Sequence, residues 1–256
     1  MRDFIRQSLR FIAWLLAYGG AYLALLLEAL GESPGLARNP ARRTFLRQIY
    51  FTGIETLPLL TVVGLVTGYA AAAALHGVLM NDLALTVDVF RALVVREASL
   101  LLVAFFVLAR SGSAIASELA SARQQGELAT LCSLGIDPVA YLVAPRVAAL
   151  ILCVAALSVY FQVAAVFGGF ALMSIFGNWD YFIAIGRFAE GLDGWTSAVM
   201  IAKTVVFGAI IGTVCCHQGM TAVPGPLGVP GATRTAMIHS FTAIVLGEGL
   251  FVAIFG

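Results

Sequence analysis

The chain has 256 residues, of which 61% are hydrophobic and only 11% charged, and its formal net charge is +1. Soluble domains hold about 45–50% apolar and about 25% charged residues, and a fold of this size leaves roughly a third of its chain's surface in water. The composition therefore excludes a water-soluble domain, a disordered chain and a nucleic-acid binder, and it predicts an all-α integral membrane protein.

In chain order, Arg2, Arg6, Arg10, Trp14, Tyr18 and Tyr22 come first, four residues apart on one drifting helix face. Basic and aromatic side chains in such a stripe suit the headgroup region. This favours an N-terminal interfacial helix. The alternative is a sixth span over 11–27, which would leave outside either that basic cluster or Arg38, Arg42, Arg43 and Arg47. Five later segments reach the ~20 residues that a crossing helix needs: 57–75, 92–116, 147–176, 194–216 and 235–256. The second carries Arg96, Glu97 and Arg110 near its ends, the fourth Lys203, and the fifth His239 and Glu248.

With the N-terminus inside, Arg2, Arg6, Arg10, Arg38, Arg42, Arg43, Arg47, Arg123, Arg146 and Arg234 fall on the cytoplasmic side. Only Arg91 and Arg187 fall outside, beside Asp82, Asp88, Asp180, Glu190 and Asp193. That asymmetry matches the positive-inside rule and predicts an external C-terminus. Residues 118–138, between the second and third spans, are helical in propensity and amphipathic, with Gly135 and Pro138 to end them. They predict a short helix along the cytoplasmic face, either a docking element or a solvated connector. The Pro- and Gly-rich run 224–231 reads as a rigid turn before the last helix.

Chemical motifs are missing. Cys132, Cys153, Cys215 and Cys216 form no CxxC pair and no spaced Cys/His set, so no metal site or disulfide framework is indicated. No phosphate-binding GxxxxGK[ST] loop, HExxH or GxSxG element occurs. The chain is therefore expected to be non-catalytic.

The intramembrane charges carry more information. Lys203 lies about nine residues, or roughly 13 Å, from the outer end of its helix, and Glu248 about 12 Å from the same side on a helix running the other way. Arg96 and Glu97 enter from that side too. An unpaired charge there costs at least about 2.5–3.5 kcal/mol, so the four should pair or face a wet cavity. They could pin three helices together, or they could line a substrate cavity. Carboxylates such as Glu97 and Glu248 also fit proton sites in an ion-coupled secondary carrier of lipid or another hydrophobic solute.

A run of local patterns resembles the MlaE/YrbE permeases of ABC-type intermembrane phospholipid transport. It begins at Arg47-Gln48-Ile49-Tyr50 and continues through Arg96-Glu97, Ala109-Arg110-Ser111-Gly112-Ser113-Ala114 and Ala116-Ser117-Glu118-Leu119. Leu134-Gly135-Ile136-Asp137-Pro138 with Ala144-Pro145-Arg146 follows, then Lys203 with Phe207-Gly208, and Gly228-Val229 with Ala232-Thr233-Arg234. The similarity covers roughly residues 40 to 256. The chain departs from the family pattern at Ala98-Ser99-Leu100, Ala109 and Pro230, which should alter helix geometry at the outer start of the second span.

The resemblance implies an interfacial elbow helix and basic linker over 1–47, and a five-helix permease domain over 48–256, paired as a dimer in the bacterial inner membrane. It implies a cytoplasmic ABC ATPase that binds the ATP, so that this chain holds no cofactor. That subunit would dock on 118–138 through Glu118, Arg123, Glu127, Gly135, Asp137 and Pro138. A periplasmic MCE-domain lipid-binding subunit and a small cytoplasmic STAS-type subunit complete the implied partners. Phospholipid would sit between two protomers, against Leu65, Tyr69 and Leu100, near the charges Arg96, Glu97, Lys203 and Glu248.

Overall fold

Apolar runs of this length leave backbone groups without water to bond, so each crosses lipid as a helix that satisfies its own N–H and C=O groups. The computed structural model describes residues 19–29, 31, 39–79, 82–176 and 179–255, and among these it contains helices and turns but no strand. Five helices are long and apolar enough to cross a membrane: α2 (Arg42–Val78), α3 (Leu83–Gln124), α5 (Val139–Phe176), α7 (Gly194–Met220) and α8 (Gly228–Phe255). Three shorter ones complete the set, α1 (Gly19–Ala29), α4 (Glu127–Ser133) and α6 (Tyr181–Glu190). Arg2, Arg6, Arg10, Trp14, Tyr18 and Arg38 lie outside the described residues.

Local sequence sets the helix ends. Asp82, Asp180 and Asp193 each sit just before a helix, and their carboxylates accept from Leu85 N (3.2 Å), Phe182 N (3.0 Å) and Thr196 N (3.4 Å). Such caps satisfy first-turn donors that have no partner within the helix. All three lie at one end of the bundle, called here the Asp193 end. At the opposite, Arg123 end, Gly126 (φ 77°) and Gly135 (φ 72°) adopt the left-handed backbone that stops α3 and α4.

Several expected boundaries move. Helical backbone already begins at Asn39 and runs to Thr52, so the division drawn at 47/48 falls inside a helix; α2 then tightens to 3₁₀ over Ile54–Thr56. The last helix starts at Gly228, not in the mid-230s, and takes Pro230 into its first turn, where a missing N–H costs nothing. The single helix expected over 118–138 is broken. Glu118 and Arg123 belong to the final turns of α3, the chain reverses at Gly126, and only Glu127–Ser133 is a separate helix.

Helix α7 is the centre of the bundle, packed most extensively on α5 and next on α8 and the Arg123 end of α3. Close approach depends on small residues, as is usual where lipid supplies no hydrophobic drive between helices. A Cβ on Gly208 would come within 2.7 Å of Ile151 Cα, and one on Gly68 within 2.1 Å of Ala165 O. A large core runs through Leu100, Val103, Leu150, Phe161, Phe207 and Ile211. A second, aromatic core at the Asp193 end joins Phe90, Phe170 and Trp179 and seats α6 through Ala184. Helix α1 is tied to this frame by Tyr22, whose hydroxyl lies 2.7 Å from His239 Nδ1 and accepts from Gln218 Nε2 at 2.7 Å.

Candidate functional site

Arg96 and Glu97 lie in a stretch of α3, Arg91–Ala98, that is wound as π-helix. A π turn inserts an extra residue and re-aims the side chains around it, and such turns are frequent at functional sites. This stretch ends at Ala98-Ser99-Leu100, where the sequence departs from the resembled pattern. The helix continues there without a break, and Ser99 Oγ donates to Val95 O at 2.7 Å.

The four charges expected at a common depth come together. Lys203 Nζ, on α7, donates to Glu97 Oε2 at 2.5 Å and to Glu248 Oε1 on α8 at 2.8 Å. Arg96 Nε lies 3.2 Å from Glu97 Oε1, and its Nη2 donates to Phe255 O at 2.5 Å, near the end of α8. Two cations and two carboxylates thus balance across three helices. Lys203 is 4% and Glu248 8% exposed, so mutual pairing is what makes their burial tolerable. Glu248 Oε2 is buried and without a hydrogen-bond partner among the described residues, one acceptor beyond what the cluster uses.

Beside this cluster a cavity of about 610 Å³ opens between α3, α5, α6 and α7. Its walls are mostly apolar, with Val159, Val163, Phe167, Met200 and Ile201 prominent, and Arg96 and Thr204 place it against the ion cluster. A second π-helical stretch, Ala164–Gly168 on α5, borders it opposite the first. Of the three residues expected at a lipid pocket, Leu100 lines this cavity, whereas Leu65 and Tyr69 are not part of its lining. Leu65 instead packs over Gly168, where a Cβ would meet its Cδ2 at 1.9 Å. Tyr69 packs edge-on against Phe176 at 6.0 Å.

At the Arg123 end, Glu118 pairs with the buried Arg146 at 3.2 Å. Arg123 donates to Met220 O, and Gln124 Nε2 donates to Gly225 O at 2.7 Å, so the end of α3 is strapped to the α7–α8 turn. Glu127 opens α4. Asp137 accepts from Val139 N at 3.0 Å and, with Pro138, leads into α5. The six residues thus fall in three neighbouring places: Glu118 and Arg123 on the end of α3, Glu127 and Gly135 on and just after the short exposed α4, and Asp137 and Pro138 at the entry to α5.

Charge and motif patterns alone do not single out Gln162, whose amide donates to Val95 O (3.2 Å) and Ser99 Oγ (3.3 Å) at the cavity wall. Nor do they single out Ser158, Arg91 and Gly191 in the lining. A count restricted to charges inside the expected spans hides Gln162 and Ser158, and Arg91 falls one residue before the span expected over 92–116, although the structure places it within α3. A polar residue within a thirty-residue apolar run is the signal that could have found them.

A family model described as Permease MlaE matches residues 45–254. The chain is 30% identical over 220 residues to a probable ABC transporter permease protein of Synechocystis sp., covering 81% of this chain and 80% of that one. It is 29% identical over 219 residues to a probable ABC transporter permease protein of Rickettsia prowazekii, covering 82% of each. It is 23% identical over 208 residues to the intermembrane phospholipid transport system permease protein MlaE of Haemophilus influenzae, covering 78% of each.

Proposed function

The chain belongs to the MlaE permease family and is an ABC transporter permease that crosses the membrane several times; from that premise we propose that it passes phospholipid between the bacterial inner membrane and a periplasmic MCE-domain partner. A separate cytoplasmic ATPase supplies the energy, so the work of this chain is shape change rather than bond chemistry. The observation that carries the reading is the balanced ion cluster of Arg96, Glu97, Lys203 and Glu248, set into three helices beside an apolar cavity. Such a cluster holds helices in register without anchoring them to water, and it borders the space through which lipid moves.

In this reading the Arg123 end faces the cytoplasm and the Asp193 end the periplasm, as the distribution of basic residues favours. The ATPase docks on α4 and its flanks through Glu118, Arg123, Glu127, Gly135, Asp137 and Pro138. A small STAS-type subunit accompanies the ATPase, and a second permease protomer completes a pocket with Leu65, Tyr69 and Leu100. Motor closure pushes α4, and the strap from Arg123 and Gln124 to the α7–α8 turn carries the movement into α7 and α8. The Lys203 cluster then shifts the Asp193 ends of three helices together.

The test is lipid transfer from proteoliposomes holding the chain with its co-purified ATPase and MCE-domain partner. The expected result is transfer that needs ATP and is blocked by vanadate. Transport by the isolated chain under a proton gradient would overturn this reading in favour of a carrier using Glu97 and Glu248.

A further inference from the structure

We propose that the cavity between α3, α5, α6 and α7 is a binding site, built within a single protomer, for one glycerophospholipid, with its phosphate on Arg91 and its acyl chains along the α5–α7 wall. The class of occupant rests on the permease reading above; the location and the role of Arg91 rest on geometry.

The space has the dimensions of a ligand site. Small-molecule pockets run at about 300–1,000 Å³ and are largely apolar with a few placed polar groups. This one measures about 610 Å³, room for the glycerophosphate end and the first part of the chains, with the rest leaving through its open side. Its α7 wall runs from the capping Asp193 to Thr204, eleven residue steps or about 16 Å of helix. Val159, Val163, Phe167, Met200 and Ile201 offer that path a hydrocarbon surface.

The mouth supplies the polar end. Arg91 lines the cavity close to the start of α3, roughly 8 Å nearer the Asp193 end than Arg96 along the helix. Its Nη2 lies 3.2 Å from Asp88 Oδ1, while its Nη1 is buried and has no hydrogen-bond partner among the described residues. A guanidinium stays charged, and a buried N–H without an acceptor is costly unless a ligand supplies one. Its planar fork matches phosphate oxygens. The Arg96 guanidinium is engaged twice, by Glu97 and Phe255 O, whereas Arg91 has the single carboxylate partner Asp88 and keeps 27% of its side chain exposed at the mouth, with Asp193 the acidic residue of the same lining. Gly191 makes this placement feasible, because a Cβ there would lie 1.5 Å from Arg91 Nη1 and displace it. Two distant segments, the start of α3 and the α6–α7 turn, are thus shaped around one under-used cation at the lip of an apolar channel.

The site is tested on the full transporter complex, in nanodiscs containing either phosphatidylglycerol or diacylglycerol with the same chains, by native mass spectrometry after transfer to lipid-free detergent. The unmodified complex should retain phosphatidylglycerol about tenfold more than diacylglycerol, the worth of one charge-assisted hydrogen bond. Arg91→Gln should abolish the preference and Arg91→Lys should restore part of it. Val163→Trp, which blocks the tail path, should lower retention of both probes, whereas Leu246→Trp on the exposed face of α8 should change neither. Equal retention of the two probes by the unmodified complex, an unchanged preference in Arg91→Gln, or full retention in Val163→Trp overturns the proposal. A photo-crosslinker at Phe167 should capture lipid; capture of a protein chain instead overturns it as well.

ATP-driven transfer is measured on the same preparations. Arg91-dependent retention without transfer would sink the permease reading and leave the site standing. Transfer without Arg91-dependent retention would do the reverse.

Discussion

Helix α7 passes through two environments along its length. From Phe207 to Gly219 every residue except Ile210 and His217 is buried, and Gly208, Gly212 and Gly219 bring α5 and α3 almost to backbone contact. From Gly194 to Ala202 none is buried, and the helix instead borders the cavity. Lys203 and Thr204 stand at the junction. The difference teaches how one bundle can be stiff and accommodating at once. Interdigitated small residues leave no room for relative movement and transmit a push, while the other half holds its helices by ion pairs around an open space.

The sharpest way to break that comparison is to remove the cation at the junction. Lys203→Met leaves Glu97 and Glu248 facing each other in a largely buried site, and it should lower stability by about 3–5 kcal/mol. Thermal unfolding in detergent reads the loss, and a loss well under 1 kcal/mol would mean the cluster holds nothing together. Gly208→Ala probes the stiff half. Its Cβ would press on Ile151 Cα at 2.7 Å, and overpacking of this kind costs about 1–3 kcal/mol. Gly249→Ala on α8, with nothing within 4 Å, should stay within about 0.5 kcal/mol. Equal effects at the two glycines would erase the contrast.

A double-mutant cycle of Lys203→Met with Glu248→Gln should give a coupling of about 0.5–3 kcal/mol, whereas additive losses would argue against direct pairing. A smaller loss than at Lys203 is expected at Glu118→Gln. Glu118 is half exposed but its partner Arg146 is buried, so losing the carboxylate charge should cost about 1–3 kcal/mol, between the worth of an exposed pair and that of a fully buried one. Transfer driven by the ATPase should nevertheless fall several-fold, because the residue lies in the proposed docking region. A variant that loses stability and transfer in proportion would remove that role.

Much of this is legible along the chain. Arg96, Glu97, Lys203 and Glu248 group by position alone, because helix rise converts position into depth and lipid penalises each charge separately. The split at Gly126 is less legible, since the helical propensity of 118–138 masks a single left-handed residue. Leu65 and Tyr69 are placed at a pocket by resemblance alone, because nothing in the sequence fixes the rotation of α2; in the structure both are partly exposed and also touch α5.

Apolar length and the scarcity of charge determined by themselves that this chain is a membrane protein and where its five later helices cross, because the hydrocarbon core acts on each segment independently of its neighbours. Contacts between distant segments do not have that property. Where Lys203 finds two carboxylates, where two π stretches open a cavity, and how Gly191 makes room for Arg91 were decided only by tertiary structure. These depend on helix rotation and on which surfaces meet, which no single segment encodes.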